Sequence, residues 1–317
     1  MRNMIILSVV IIISGTAVGL NLRSDRGRAV TATANPVGIG AEPQVVRRVD
    51  TNDATDSGSP PKRSSGDGTT DGATSTVTST VDSNLRDKVT RLERGMRFLH
   101  GVTDYTAQLQ KQEMIGSELL DEQILSIKCR HNPFSVYLHW DSDDVGREVI
   151  YVDGKNNGNL IAHDGGWKSR IPAFSLSPVG SMAMQDTRYP VTEAGILGLI
   201  EVMLGIHRQD LKLANVDSCK IDELQQFDGR PCDQFTTIYK SFDTSPIYRK
   251  SITWIDREWS VPVRSRHFKW PRAGTVLAEN ELDDATLLES YSFSKVKMKC
   301  NLTDYDFDWT NKDYHFH

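Results

Sequence analysis

The sequence predicts an α+β domain built on one large antiparallel sheet, and three observations carry that reading. Across Phe134–Trp140, the residues Phe134, Val136, Leu138 and Trp140 share one parity while Ser135, Tyr137 and His139 take the other, the period-two signature of a half-buried strand. Further β-branched and aromatic runs follow at short intervals, broken by polar turns such as Asp153-Gly154 and Asp228-Gly229. Two stretches repeat instead at three- and four-residue spacings and read as helices. Roughly nine to eleven strands are expected, too many for a sheet to stay flat. A curled sheet with a helix at its mouth would enclose a concave apolar face.

Composition places the domain within the chain. Every Phe, Trp, Tyr and His of the 317 residues lies at or after Phe98. A stretch that long without an aromatic builds little core, so one folded domain is expected over residues 85–317. Residues 21–84 are rich in Gly, Ser, Thr, Asp and Pro and are expected to form a disordered linker, because they bury too little apolar surface to offset their ordering entropy. Residues 4–20 form an apolar run after a short charged start, with small residues at Ala17 and Gly19. Residues 1–20 therefore read as a signal peptide or, uncleaved, an N-terminal anchor. Either way the chain is expected to be exported, to the periplasm or cell envelope, with membrane anchoring through its N-terminus left open. The net charge of −5 argues against a nucleic-acid partner. The densest basic run, Arg264, Arg266, Lys269 and Arg272, reads as charge on a strand edge.

The elements follow in order. Leu85, Val89, Leu92, Met96 and Leu99 make one apolar stripe on a helix over residues 85–100, capped by Ser83 or Asn84 and stopped at Gly101. Residues 104–115 alternate as Tyr105, Ala107 and Leu109, and residues 123–130 as Leu125, Ile127 and Cys129, giving a strand pair. Pro133 opens a three-strand meander at 134–140, 148–152 and 160–163. Residues 168–190 hold several breakers and read as a long loop. Thr192 is the expected N-cap of a second helix carrying Ile196, Leu199, Ile200, Met203 and Leu204, which should lie on the sheet or close over it. The remaining strands are placed at 218–224, 235–242, 248–256, 261–270 and 290–298.

No catalytic spacing stands out. GxSxG, HExxH, GxxxxGK[ST] and CxxC are all missing, and no catalytic residue, metal site or cofactor is predicted. His139 with Asp141, Asp143 and Asp144, and His163-Asp164, fall at strand ends where acidic turn residues are ordinary. Asp304, Asp306 and Asp308 alternate with Tyr305, Phe307 and Trp309. The aromatics are expected to pin the terminal segment to the domain while the carboxylates face water. Cys129, Cys219, Cys232 and Cys300 permit three disulfide pairings. The Asp228-Gly229 turn puts Cys232 opposite a residue near Gln225, not Cys219, and the pairing stays open. The candidate ligand-binding residues are apolar strand positions: Val136, Leu138, Trp140, Ile252 and Trp254. Each buried methylene contributes about 0.8 kcal/mol, so an acyl chain can be held without any polar motif.

Several longer motifs resemble the bacterial family known as domain of unknown function 1571. They are Tyr105 with Lys111, Gln112 and Glu113; Lys128 and Arg130 before NPFSVYLHW; GREVIYVDGKNNGNLIAH; RYPVTEAGI from Arg188; GRPC from Gly229; WIDREWSVPVR from Trp254; and DFDWTNKDYHF from Asp306. More distantly, the series of helix, strand pair, Pro-Phe strand and Asp-Gly hairpin is similar to the periplasmic lipoprotein carriers typified by LolA. The long leader, the 168–190 insertion and the terminal motif depart from that pattern. The carrier resemblance implies a half-open barrel with an N-terminal helix and a second helix packing on or closing the concave face. With an exported start, it implies a non-enzymatic envelope protein that binds a lipid, a lipoprotein acyl chain or another apolar ligand, with a lipid or an acylated protein as partner. Two other readings stand beside it: a structural or interaction module tethered in the envelope, and a hydrolase of envelope polymers.

Overall fold

Alternating strands give a sheet two chemically different faces, and the topology decides which one is covered. In the structure, a computed structural model that describes residues 72–316, helix α1 (Gly72–His100) leads into a first meander. Its strands are β1 (Asp104–Ile115), the short β2 (Glu118–Leu119), β3 (Gln123–His131), β4 (Phe134–Trp140), β5 (Glu148–Val152), β6 (Leu160–His163) and β7 (Phe174–Leu176). Helix α2 (Gly195–Leu213) follows, and then a second meander of β8 (Val216–Phe227), β9 (Arg230–Tyr239), β10 (Lys250–Asp256) and β11 (Pro262–Phe268). A third helix, α3 (Glu279–Thr286), precedes the last strand, β12 (Leu287–Met298). The sheet runs β7-β6-β5-β4-β3-β1-β12-β11-β10-β9-β8, with β2 paired to β1. Every pairing is antiparallel, and β1 against β12 joins the two meanders. The outer strands β7 and β8 do not pair, so the curved sheet stays open. Because β7 and β8 lie at opposite edges, α2 must carry the chain across the sheet from one edge to the other.

Helix α2 crosses on the inner face. Its start differs from the expected Thr192 cap: a 3-10 turn occupies Val191–Glu193, and Ala194 holds the N-cap position. The hydroxyl of buried Tyr105 accepts the Ile196 N–H at 2.9 Å, satisfying one of the donors that a helix start leaves free. Gly195 makes this approach possible, since its φ is +93° and a Cβ there would lie 2.5 Å from the Tyr105 hydroxyl. The apolar stripes of α1 and α2 then pack with the inner strand faces into the main core, where Leu85, Leu92, Leu99, Ile196, Ile200 and Leu204 are all buried.

Several boundaries differ from the sequence reading. Helix α1 begins at Gly72, not Leu85, so the last part of the expected linker is helical. In the sequence Val77 and Val81 continue the four-residue spacing of Leu85 and Val89, and Val81 packs against the core. The expected signal peptide or anchor, and the linker before Gly72, lie outside the described residues. No described helix is long and apolar enough to cross a membrane. Arg264 and Arg266 sit on β11, an interior strand, and are therefore not edge charges. They lie over the rings of Trp254 and Phe268. The Asp228-Gly229 turn sets Gln225 opposite Cys232, as its geometry requires, and all four cysteines are free thiols.

The outer face carries a second, smaller core. Tyr137, Ile150 and Val152 meet Phe307, Tyr314 and Phe316 of the C-terminal segment. Tyr137 and Tyr314 stack at 4.1 Å, and Lys128 binds Asp306 and the Tyr314 hydroxyl, each at 2.9 Å. The terminal segment is thus pinned by Phe307, Tyr314 and Phe316, whereas Tyr305 and Trp309 are exposed. Asp304 and Asp306 pair with Arg130 and Lys128 instead of facing water alone.

Candidate functional site

Strand register brings one phase of each strand to the inner face. Phe293, Leu109, Leu125 and Trp140 line up across β12, β1, β3 and β4, and Leu138, Val149 and Ala162 line up across β4, β5 and β6. These two rows floor a cavity of about 150 Å³. Its roof is Leu199 and Val202 of α2 together with the chain that leads into the helix, where Pro178, Ala183, Thr187 and Val191 face inward. Arg147 ties roof to floor. Its guanidinium lies 4.8 Å over the Trp140 ring and bonds Asp186 at 2.5 Å.

One end of the cavity is polar. Glu113 and Glu289 are direct cross-strand partners, and both are buried. Glu289 accepts His267 Nδ1 at 2.7 Å, Arg188 Nε at 2.6 Å, the Tyr248 hydroxyl at 3.2 Å and the Tyr189 hydroxyl at 3.2 Å. Glu113 accepts the Tyr291 hydroxyl at 2.5 Å and Lys111 Nζ at 3.0 Å. Burial by itself pushes the Glu289 carboxyl up, but His267 and the Arg188 guanidinium outweigh that and hold it below the usual carboxylate range. Burial, reinforced by the neighbouring carboxylates, pushes the phenols of Tyr189, Tyr248 and Tyr291 up, so they remain donors. The result is an ionised, fully solvated-by-protein carboxylate beside an apolar floor.

The polar phase continues away from the cavity. Register carries it from Glu113 and Glu289 through His267, Ser251 and Thr237 to Cys219, across six strands. At its far end lies Lys88 of α1, fully buried, with Nζ 3.5 Å from Thr237 Oγ1. Nearby, His207 Nδ1 and the Tyr239 hydroxyl both bond the Asp210 carboxylate at 3.0 Å.

The expected ligand-binding residues separate on this geometry. Leu138 and Trp140 line the cavity. Val136 shares their face but is buried in the core beyond it. Ile252 and Trp254 pair with Arg266 and Arg264, in the phase opposite to Ser251 and Thr253, and so lie on the outer face. Their alternation is real, but a strand's parity does not say which face is the inner one. The sequence reading missed Glu113, Arg188, Tyr248, His267 and Glu289 as a group. A signal existed for the acids: Glu113 is in phase with Tyr105, Ala107 and Leu109, and Glu289 with Tyr291 and Phe293. Among the described residues no group of His, Cys, Asp and Glu is placed to hold a metal ion.

Fold and site together define a class: an open antiparallel sheet curled beneath a helix, around a cavity with an apolar floor and one hydrogen-bonding end. The chain belongs to the DUF1571 family, described as proteins of unknown function, which it matches over residues 102–316. A search of curated proteins found no match. Solved structures that resemble it include the lipoprotein LppX of Mycobacterium tuberculosis, at 12% identity and a TM-score of 0.40, covering 70% of this chain and 99% of that one. MucB of Pseudomonas aeruginosa, solved with MucA, matches at 13% identity and 0.40, over 70% of this chain and 60% of that one. A LolA superfamily protein from Nitrosomonas europaea matches at 9% identity and 0.29, over 69% and 96%. At these scores the likeness is loose, and the site has to be understood from its own residues.

Proposed function

We propose that this is an exported, non-enzymatic envelope protein that binds a lipid or acyl chain beneath α2. The observation that carries the reading is the two-part lining of the cavity, apolar along Leu109, Leu125, Leu138 and Trp140 and polar at Glu113 and Glu289. That pattern suits an amphiphile, with the tail on the floor and the head toward the tyrosines. A cavity of about 150 Å³ holds a group of roughly benzene size. As it stands it takes the end of a chain, and a longer chain requires the roof segment to lift. Export is supported by the apolar run at residues 4–20.

Native mass spectrometry of the purified chain, followed by organic extraction, tests this. A co-purifying lipid is expected, lost in Leu138→Glu and in the milder Leu199→Phe. It should be kept in Trp254→Glu, which changes the outer face. A clean apo mass, with no uptake of added fatty acids or phospholipids, would remove the reading.

The facing carboxylates of Glu113 and Glu289 favour a second reading, an acid/base hydrolase. Against it, Arg188 stands between them, donating its Nε to Glu289 and its backbone N–H to Glu113. Glu289 is also shifted in the wrong direction for a general acid. Release of sugar from envelope polymers, abolished by Glu289→Gln in a folded protein, would reinstate it.

A further inference from the structure

The charges around the cavity restrict the kind of head it can take. Four carboxylates line it: Glu113, Asp186, Glu193 and Glu289. The basic side chains that line it are already committed to three of them. Lys111 binds Glu113 at 3.0 Å, Arg147 binds Asp186 at 2.5 Å and His267 binds Glu289 at 2.7 Å. Arg188, the other cation at this end, holds Glu289 at 2.6 Å. Glu193 is exposed, and its carboxylate has no hydrogen bond or ion pair among the described residues. Burial, and after it the nearby Glu201, push that carboxyl up. The start of α2 does not offer an anion site either. Helix N–H groups there would favour negative charge, but the Ile196 N–H is taken by the Tyr105 hydroxyl, and Glu193 stands just before the helix with the wrong sign.

An anionic head entering this site would lose its hydration, find no uncommitted cation and lie beside carboxylates of like charge. It could be seated only by breaking one of the ion pairs. A hydrogen-bond donor is received differently. Glu113 Oε2 accepts Lys111 Nζ alone among the described residues, and a carboxylate oxygen has room for a second donor. We propose that the cavity selects chains whose head donates hydrogen bonds and carries no negative charge, an amide, alcohol or amine, and rejects carboxylate and phosphate heads. Glu113 and Glu193 set this preference, Glu113 by occupying Lys111 and Glu193 by its own charge. The proposal rests on the cavity taking an apolar chain and specifies the head that chain can carry.

The full-length chain is titrated with hexanamide and with hexanoate at about pH 8, where the acid is ionised. The probes match in length and differ in whether the head is a neutral donor or an anion. Saturation-transfer NMR reads each affinity, and hexanamide should bind more tightly by about tenfold or more. Leu199→Phe should abolish both signals, which locates them beneath α2. Glu113→Gln keeps an acceptor for Tyr291 but releases Lys111, so hexanoate should gain about tenfold and the preference should vanish. Glu193→Gln changes an exposed residue without a partner, so it should fold as the parent does and narrow the preference about twofold. Three results overturn the proposal: hexanoate binding as tightly as hexanamide in the parent, a preference unchanged in every variant that folds, or hexanamide binding that survives Leu199→Phe. In each case lipid can still co-purify, and the cavity reading then stands without this one. Failure of both probes to bind also overturns it, and if no lipid co-purifies either, the cavity reading falls with it.

Discussion

The buried polar row that crosses six strands has two unlike ends. At the cavity end every carboxylate oxygen of Glu113 and Glu289 accepts a hydrogen bond from a side chain. At the helix end Lys88 makes one long bond to Thr237; between the two ends the Ser251 hydroxyl, and those of Thr253 and Ser265 in the next row, find no partner in the protein. Both ends are equally dry, yet they respond oppositely. Glu289 is kept ionised by its donors, whereas burial of Lys88, only partly opposed by Cys219 and Asp210, lowers its amine from 10.5 to about 8. Burial alone therefore does not decide whether a charge survives; the partners that come with it do. The two carboxylates at the cavity end are fully paired, whereas Lys88 is left costly against its helix.

Breaking the paired end should give the largest effect. Glu289→Ala leaves Arg188 and His267 facing a buried void, and a loss of about 3–5 kcal/mol is expected from urea denaturation. A loss below about 1 kcal/mol would show that these donors find other partners and that the contrast is overstated. Lys88 gives the next effect, with a definite sign. Its folded pKa of about 8 lies below the unfolded 10.5, so between those values the unfolded chain binds more protons and stability rises with pH. The whole rise is about 3 kcal/mol as an order of magnitude. Lys88→Met should flatten this rise and be more stable than the parent at pH 7. A variant less stable at pH 7 would mean that the amine is better paired than its 3.5 Å bond suggests. The smallest comparison uses single hydroxyls. Thr253→Val removes an unpartnered one and should stabilise by about 0.5–1 kcal/mol, while Tyr248→Phe removes a donor to Glu289 and should cost about 1 kcal/mol. Thermal midpoints measured side by side check both, and changes of the same sign would erase the distinction between paired and unpaired hydroxyls.

Most of the sheet was legible because its strands are long, alternate cleanly and end at polar turns. What escaped has physical reasons. Strand β7 is three residues in a stretch full of breakers. Helix α3, ENELDDAT, has no apolar stripe to detect, since charge holds it: Asp283 binds Arg249 at 2.5 Å and Lys250 at 2.7 Å. The candidate site was half legible. Leu138 and Trp140 belong to a readable strand, but which face of β10 turns inward depends on a register fixed by strands elsewhere, and that register puts Ile252 and Trp254 in the phase opposite to Ser251 and Thr253. The polar end was least legible, because Glu113, Arg188, His267 and Glu289 come from four distant segments and each reads alone as an ordinary surface residue. An acid in the apolar phase of a strand is the clue that was available.

The pairing of β1 with β12 sets the order in which this molecule can be completed. Tyr105 lies opposite Met298, so the middle of the sheet joins the first strand of the domain to the last. A chain delivered N-terminus first can form the meander from β1 to β7 locally, but its β1 edge stays raw until residues 287–298 arrive. The second meander meets the same condition from its other side. The terminal segment that clasps the outer face comes later still. Neither half-sheet is a finished product, and whatever holds the chain during synthesis or translocation must shield that one edge for nearly the whole length of the domain.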